Sequence, residues 1–245
     1  MHLTTNALVL REVAYKESDK ILTLLSKDMG KITVSASGCR KKGSQLSAGC
    51  QQLVWAEFVL YQRKGRWSVK EVSIERLFSH LPQDFLRFSL ACYFAEVGEL
   101  LSMEGVPQDD LLSLLLNCLF ALDMRQDLTL EMVKSVFELR VACQAGYEPM
   151  TGSCFYCHEV NPQAPQFSLQ DGIVFCQKCG GKSFSLSPST LSALRYIVNA
   201  PPKKIFHFAL DQMKPLSLLA EGYLLSQLDY PFPTLEFYRK NAEKI

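Results

Sequence analysis

The sequence has no apolar run of the roughly 18 to 20 residues that a membrane-spanning helix needs, and it is read as a protein without a helical membrane anchor. Its opening residues, Met1-His2-Leu3-Thr4-Thr5-Asn6, lack the basic start and apolar core of a secretory signal, so the expected location is a reducing cytosol. No GxxxxGK[ST] phosphate loop and no GxGxxG fingerprint occurs, which leaves no candidate machinery for ATP hydrolysis. Histidine is scarce: His2, His80, His158 and His207 are the whole supply, and none has the partner spacing of a catalytic acid–base pair. Asp109-Asp110, the obvious carboxylate pair, is better read as the start of a helix, where the macrodipole favours negative charge. The expectation is therefore a protein that is not an enzyme.

Net charge is nearly absent too, at +1, but the balance is uneven along the chain. Residues 1–79 carry 13 Lys/Arg against 7 Asp/Glu, a net of +6, and residues 80–150 carry 4 against 11, a net of −7. Residues 151–245 carry 9 against 7, a net of +2. A basic N-terminal part beside an acidic middle suggests a surface aimed at a polyanion, the plainer alternative being an ordinary basic domain. With 245 residues, 48% hydrophobic and 21% charged, the chain suffices for one or two soluble globular domains.

Up to about residue 79 the pattern alternates with a period of two. Ala7-Leu8-Val9-Leu10 begins a strand that continues through Val13. Lys20-Ile21-Leu22-Thr23-Leu24-Leu25-Ser26 and Lys31-Ile32-Thr33-Val34-Ser35-Ala36 are joined by Asp28-Met29-Gly30, a hairpin signal in which Gly30 suits a positive φ. Residues 53–61 and 67–74 alternate likewise around a turn at Gly65. Five strands in under 80 residues predict a small closed or nearly closed barrel. From Asp84 the period changes to about 3.6. Residues 85–101, 109–122 and 129–145 read as helices, the last ending at Gly146. Ser187-Pro188-Ser189 offers a cap for a helix over 188–199, and another is expected over 215–228. There is no internal repeat. The fold class is α+β: a five-stranded barrel over residues 1–79, then a helical domain over 80–245 with a cysteine element embedded at about 150–183.

That element is Cys154-x2-Cys157, 18 residues, then Cys176-x2-Cys179. Each CxxC turns two thiolates toward one point, and the spacing lies in the zinc-ribbon range. One structural Zn2+ is expected, since four thiolate ligands leave no open coordination position. Cys154-Phe155-Tyr156-Cys157-His158 also satisfies the CxxCH haem-attachment pattern, but that reading requires export and gives Cys176 and Cys179 no role. A thiol oxidoreductase is a third reading, without the βαβ context of a thioredoxin-like motif. His158 is read as a surface neighbour. Cys92, Cys118 and Cys143 fall on apolar helical faces as small core residues, while Cys39 and Cys50 flank a basic loop with no assigned role.

That loop is Arg40-Lys41-Lys42-Gly43-Ser44. Lys27 and Lys31 flank the preceding hairpin turn, and Arg63, Lys64 and Arg66 flank the following one. If the barrel closes, several of these cations reach one side, where they would neutralise phosphates and release counterions. Tyr15, Tyr61 and Trp67 are candidates to stack on bases, although barrel core is the commoner fate of such rings. The acidic middle and the apolar C-terminal helices (Leu216, Leu219, Tyr223, Leu224) are candidate docking surfaces, with core packing the simpler role. A zinc-ribbon RNA-binding or transcription-associated module is compatible with the same features.

In order and spacing these segments resemble the bacterial recombination mediator family RecO. The resemblance is carried by Ala7-Leu8-Val9-Leu10, Tyr15-Lys16-Glu17-Ser18-Asp19-Lys20-Ile21-Leu22-Thr23-Leu24-Leu25, Gly30-Lys31-Ile32 and Ala36-Ser37-Gly38-Cys39-Arg40-Lys41-Lys42-Gly43-Ser44. Phe137-Glu138-Leu139-Arg140, Gly146-Tyr147-Glu148-Pro149 and the paired CxxC motifs continue it to about residue 183. The resemblance implies an OB-fold barrel, a helical domain and a four-cysteine zinc element. It further implies binding of single- and double-stranded DNA, annealing of complementary strands, and partnership with RecR and single-stranded DNA-binding protein. Loading of RecA, and hence a cytoplasmic, nucleoid-associated place, follows from the same resemblance. Cys39 beside the basic loop raises the idea of a redox-sensitive surface.

Overall fold

The computed structural model describes residues 1–180 and 183–243; Gly181 and Lys182, inside the expected cysteine element, lie outside the described residues. Five strands form a closed barrel: β1 (His2–Tyr15), β2 (Asp19–Ser26), β3 (Gly30–Ala36), β4 (Trp55–Arg63) and β5 (Arg66–Arg76), in the order β1-β2-β3-β5-β4. That is the OB-fold order. β1 starts five residues earlier than the alternating pattern predicts, because His2 to Leu8 pair with Tyr61 to Trp55 while Ala7 to Tyr15 pair with Ser26 to Asp19. A register shift between Val9 and Arg11 bends the strand so that it serves both partners. Closure comes from a short parallel contact, Val34 beside Trp67 and Ser35 beside Ser68, with the Ser35 hydroxyl donating to the Trp67 carbonyl at 3.2 Å.

The run Ala7-Leu8-Val9-Leu10 is buried throughout rather than at alternate positions. Ala7 and Val9 belong to the barrel interior with Leu22, Leu24, Val34, Phe58 and Leu60. Leu8 and Leu10 face outward and are covered; Leu10 reaches Gly98 of α1 (Phe85–Leu101). A strand buried on both faces has no place for a polar residue, hence the unbroken apolar run. Gly98 is also where α2 (Asp109–Met124) comes close, since a Cβ there would stand 2.8 Å from a Leu115 methyl.

The chain packs as two compact units, Met1–Arg125 joined by the segment from Phe232, and Gln126–Pro231. The first holds the barrel, α1, α2 and a terminal helix, α6 (Pro233–Ala242), that periodicity does not reveal. Only Leu235 and Tyr238 of α6 are buried, too few to make an apolar stripe. Tertiary contacts define it instead: Phe232 stacks edge-on with Tyr93 at 5.6 Å, and the Glu96 carboxylate accepts from the Thr234 N–H at 3.1 Å.

The second unit holds α3 (Leu130–Gln144), a three-stranded sheet, α4 (Pro188–Asn199) and α5 (Met213–Leu228). The sheet is β6 (Pro165–Ser168), β7 (Ile173–Cys176) and β8 (Phe184–Ser185), in the order β7-β6-β8. Phe137-Glu138-Leu139-Arg140 proves to be structural. Phe137 and Leu139 are core, and Glu138 pairs with buried Lys134 at 2.9 Å while Lys134 also reaches Glu221 of α5 at 2.7 Å. Arg140 donates to the Ile197 and Val198 carbonyls at 3.2 and 2.7 Å, satisfying the C-terminus of α4.

Candidate metal centre and nucleic-acid surface

Two knuckles hold the four thiols. In the first, the His158 N–H donates to the Cys154 carbonyl at 2.9 Å and the Cys154 N–H to the Glu159 carbonyl at 2.8 Å. In the second, the Cys179 and Gly180 N–H groups both donate to the Cys176 carbonyl, at 3.0 and 3.4 Å. The residue directly after each CxxC has a positive φ, 61° at His158 and 65° at Gly180, so the chain reverses in the same way twice. β7 ends on Cys176, and the second knuckle grows directly out of the strand. Flanking bonds tie the first knuckle to β7: Phe155 N–H to the Val174 carbonyl at 2.8 Å, Val174 N–H to the Met150 carbonyl at 3.1 Å.

All four sulfurs lie within 4.8 Å of one another, with 3.7 Å between Cys157 and Cys176 and 3.5 Å between Cys176 and Cys179. A tetrahedral centre with metal–sulfur bonds of about 2.3 Å has sulfur–sulfur edges of about 3.8 Å, so the spacing fits a metal ion. Burial opposes ionisation of Cys154, but N–H groups of Cys157, Cys176 and Tyr156 aimed at its sulfur outweigh this and pull the thiol down to about 6. Cys176 is lowered as well, chiefly by the Cys179 N–H. Cys179 moves the other way, up to about 12, because its proton is shared with the sulfurs of Cys176 and Cys157. A soft divalent cation bound by four sulfurs packed this closely would displace their remaining protons into solvent, the thiolates becoming its ligands. His158 stands outside the ligand set, exposed, and serves the turn.

Sequence reasoning missed the residue that braces this centre. Arg195 on α4 donates to the carbonyls of Thr151 at 2.7 Å, Gly152 at 3.0 Å and Val160 at 2.6 Å, and to the Asn161 side chain at 3.3 Å. One guanidinium thus ties together the chain entering and the chain leaving the first knuckle. An isolated arginine on a helix carries no sequence signal for that.

The barrel distributes the candidate cations over three places. Arg40, Lys41 and Lys42 are exposed, and the loop carrying them folds onto the β1–β2 turn. The Arg40 N–H donates to the Ser18 carbonyl at 2.9 Å, its guanidinium to the Lys16 carbonyl at 3.4 Å, and the Gly38 N–H to the Asp19 carboxylate at 2.7 Å. This brings in Lys16, a cation the sequence reading did not select, with its ammonium 5.2 Å from the Tyr15 ring centre. Arg63 and Arg66 are register partners across the Lys64-Gly65 turn, and all three of Arg63, Lys64 and Arg66 are exposed. Lys27 is exposed at the β2–β3 turn, whereas Lys31 is half-buried with its ammonium on the Glu99 carbonyl of α1 at 3.0 Å. Of the three rings, Trp67 packs against the barrel core, but Tyr15 and Tyr61 lie outside it at 48% and 39% exposure. Among the described residues, no helix is long and apolar enough to cross a membrane.

Residues 1–78 match the family profile described as Recombination protein O N terminal, and residues 82–236 match Recombination protein O C terminal. The chain is 30% identical over 243 residues to a DNA repair protein RecO of Acetivibrio thermocellus, covering 97% of this chain and 96% of that protein. It is 28% identical over 246 residues to the DNA repair protein RecO of Alkaliphilus metalliredigens, covering 98% and 100%. With that of Exiguobacterium sibiricum the identity is 35% over 172 residues, covering 70% and 68%. Matched along nearly its whole length, and folded as a closed five-stranded barrel followed by a helical part that contains a four-cysteine cluster, the chain belongs to the RecO family of DNA repair proteins.

Proposed function

We propose that this protein is a recombination mediator without covalent chemistry. It binds single- and double-stranded DNA, anneals complementary strands, and with RecR helps load RecA onto DNA coated by single-stranded DNA-binding protein. It works in the cytoplasm on the nucleoid. The observation that carries this reading is the exposed cation cluster of Lys16, Arg40, Lys41 and Lys42 on a closed barrel. Cations on a rigid barrel screen the phosphates of two strands from one another, which is the main obstacle to pairing at low salt. Exposed Tyr15 beside that cluster offers a ring on which a base can stack, a sequence-tolerant contact. Lys27, Arg63, Lys64 and Arg66 extend the positive surface along the other turns. Lys31 adds charge from a fixed position, its ammonium being engaged with α1.

The ion at Cys154, Cys157, Cys176 and Cys179 is Zn2+, and its part is structural. When bound it cross-links a segment rich in turns, and its four thiolates leave no position for water or substrate. Residues 1–79 act as the DNA-binding domain in this reading, and residues 80–245 as the helical domain with the zinc element.

The test is annealing of complementary oligonucleotides, with fluorescence anisotropy on single- and double-stranded DNA across a salt series. Salt-dependent binding and accelerated annealing are expected, both reduced at least tenfold by Lys16→Glu, Arg40→Glu and Lys41→Glu together. Indifference of both to these reversals sinks the barrel assignment. A preference for RNA with no DNA annealing selects instead a zinc-ribbon RNA-binding or transcription-associated module. Elemental analysis of purified protein checks the metal, with one zinc per chain expected.

A further inference from the structure

The second unit carries a further charged patch, in the connection between α4 and α5. By sequence this unit is slightly acidic, with eight Lys/Arg against nine Asp/Glu over residues 126–231. Three of its seven described cations are committed, Lys134 to buried carboxylates, Arg140 to the end of α4 and Arg195 to the cysteine knuckle, while Lys178 is exposed on the second knuckle. Lys203, Lys204 and Lys214 are also exposed and form no ion pair among the described residues. With His207, also exposed, they fall in residues 200–214, where Asp211 is the one acid.

Residues 201–208 of this segment are held in a fixed shape. Pro201 and Pro202 end the helical path, and the Lys204 N–H donates to the Pro201 carbonyl at 2.8 Å. The His207 N–H donates to the Lys204 carbonyl at 2.9 Å, and the Tyr196 hydroxyl donates to that same carbonyl at 2.8 Å. Ile205 is buried and pins the turn, while the Tyr196 and Phe208 rings lie 5.9 Å apart and half-buried beside it. Lys214 sits in the first turn of α5, where the helix dipole disfavours a cation, so its charge is not there for helix stability. Unpaired cations on an ordered turn and at the start of the following helix, with aromatic rings beside the turn, match the chemistry of a strand whose phosphates and bases alternate.

We infer that residues 200–214, with Tyr196, form a second contact for single-stranded nucleic acid, separate from the barrel turns. Lys203, Lys204 and Lys214 engage phosphates, and the Tyr196–Phe208 edge meets the bases. The inference rests on the DNA-binding reading above and deepens it: with a contact on each unit, one molecule holds two strands.

The test compares full-length wild type, Lys203→Gln/Lys204→Gln/Lys214→Gln, the matching triple Lys→Arg variant, and the barrel triple reversal. Each is titrated with a labelled oligo-dT over a salt series, with poly-glutamate as a control polyanion, and assayed for annealing. Each lost phosphate contact lowers the slope of log K against log salt by about 0.7, so the Gln triple should lose about 2 from it. Its annealing rate should fall about tenfold, with the Arg triple near wild type. An unchanged slope and annealing rate in the Gln triple, with the barrel variant impaired, overturns this inference and leaves the DNA-binding reading standing. Loss of poly-glutamate binding alone would overturn it in favour of an acidic protein partner. Wild-type protein that fails to bind oligo-dT at all removes the reading on which it rests.

Discussion

Gly30 shows how much one residue can be asked to do. Its φ of +61° suits the hairpin turn, and a Cβ there would stand 2.1 Å from the Val106 carbonyl oxygen and 2.5 Å from that of Met103. Both neighbours are backbone and cannot rotate away. Gly30→Ala is expected to cost at least about 3 kcal/mol. Gly65→Ala, at φ +77° with nothing within 4 Å, should cost about 1 kcal/mol. Urea titration of the two variants checks the contrast, and equal costs would mean that the approach of residues 103–106 is soft. Tyr223 makes a second residue-level case. Burial pushes its phenol from 10.0 up to about 12, and its hydroxyl donates to the Tyr147 carbonyl at 2.9 Å. Between those two values only the folded protein keeps the proton, so stability that is intact below pH 10 is lost as pH rises toward 12. Tyr223→Phe should lose about 1 kcal/mol at neutral pH and show a shallower alkaline decline. Stability curves from pH 8 to 11.5 measure both, and parallel declines would exclude Tyr223 as the cause.

Among the elements, the cysteine knuckles depend most on an outside support. Local sequence makes each knuckle, since the turn after each CxxC closes within six residues. The distance between the knuckles is set by β7, and the entry angle of the first by Arg195 from α4. Arg195→Ala should leave helix content unchanged yet speed metal release to a chelator about tenfold, as loss of an outer support does elsewhere. A colorimetric chelator assay reports it, and release at the wild-type rate would mean that the hydrogen bonds within the ribbon suffice. β1 and α6 mark the two limits of reading elements from sequence. β1 announces burial on both faces through four consecutive apolar residues, but its first five residues become a strand only because β4 lies beside them. α6 has two buried side chains, and its start is fixed by Glu96, 138 residues away in the chain.

For the whole molecule, a net charge of +1 conceals a basic N-terminal part beside an acidic middle, because attraction to a polyanion depends on where cations stand and not on their sum. Two compact units also predict a divided response to metal removal. Chelation should lower the melting transition of Gln126–Pro231, which contains the four cysteines, and leave that of the barrel unit in place. Calorimetry with and without a chelator tests this, and a single transition that moves as one would mean that the units unfold together. Much of this protein follows from its sequence alone: five strands, the hairpin at Gly30, the long helices and the clustering of the four cysteines. Each of these depends on residues a few positions apart, through alternation, turn chemistry or a CxxC spacing, and such short-range preferences are written directly in the chain. The tertiary structure alone decided the rest. It brought the Arg40 guanidinium to the Lys16 carbonyl, turned Lys31 onto the end of α1, set Tyr15 and Tyr61 outside the barrel core, and sent Arg195 to the knuckle. Those outcomes depend on which surfaces meet when the strands close and the helices pack, and a lysine or arginine looks the same in sequence whether it meets a carbonyl or water.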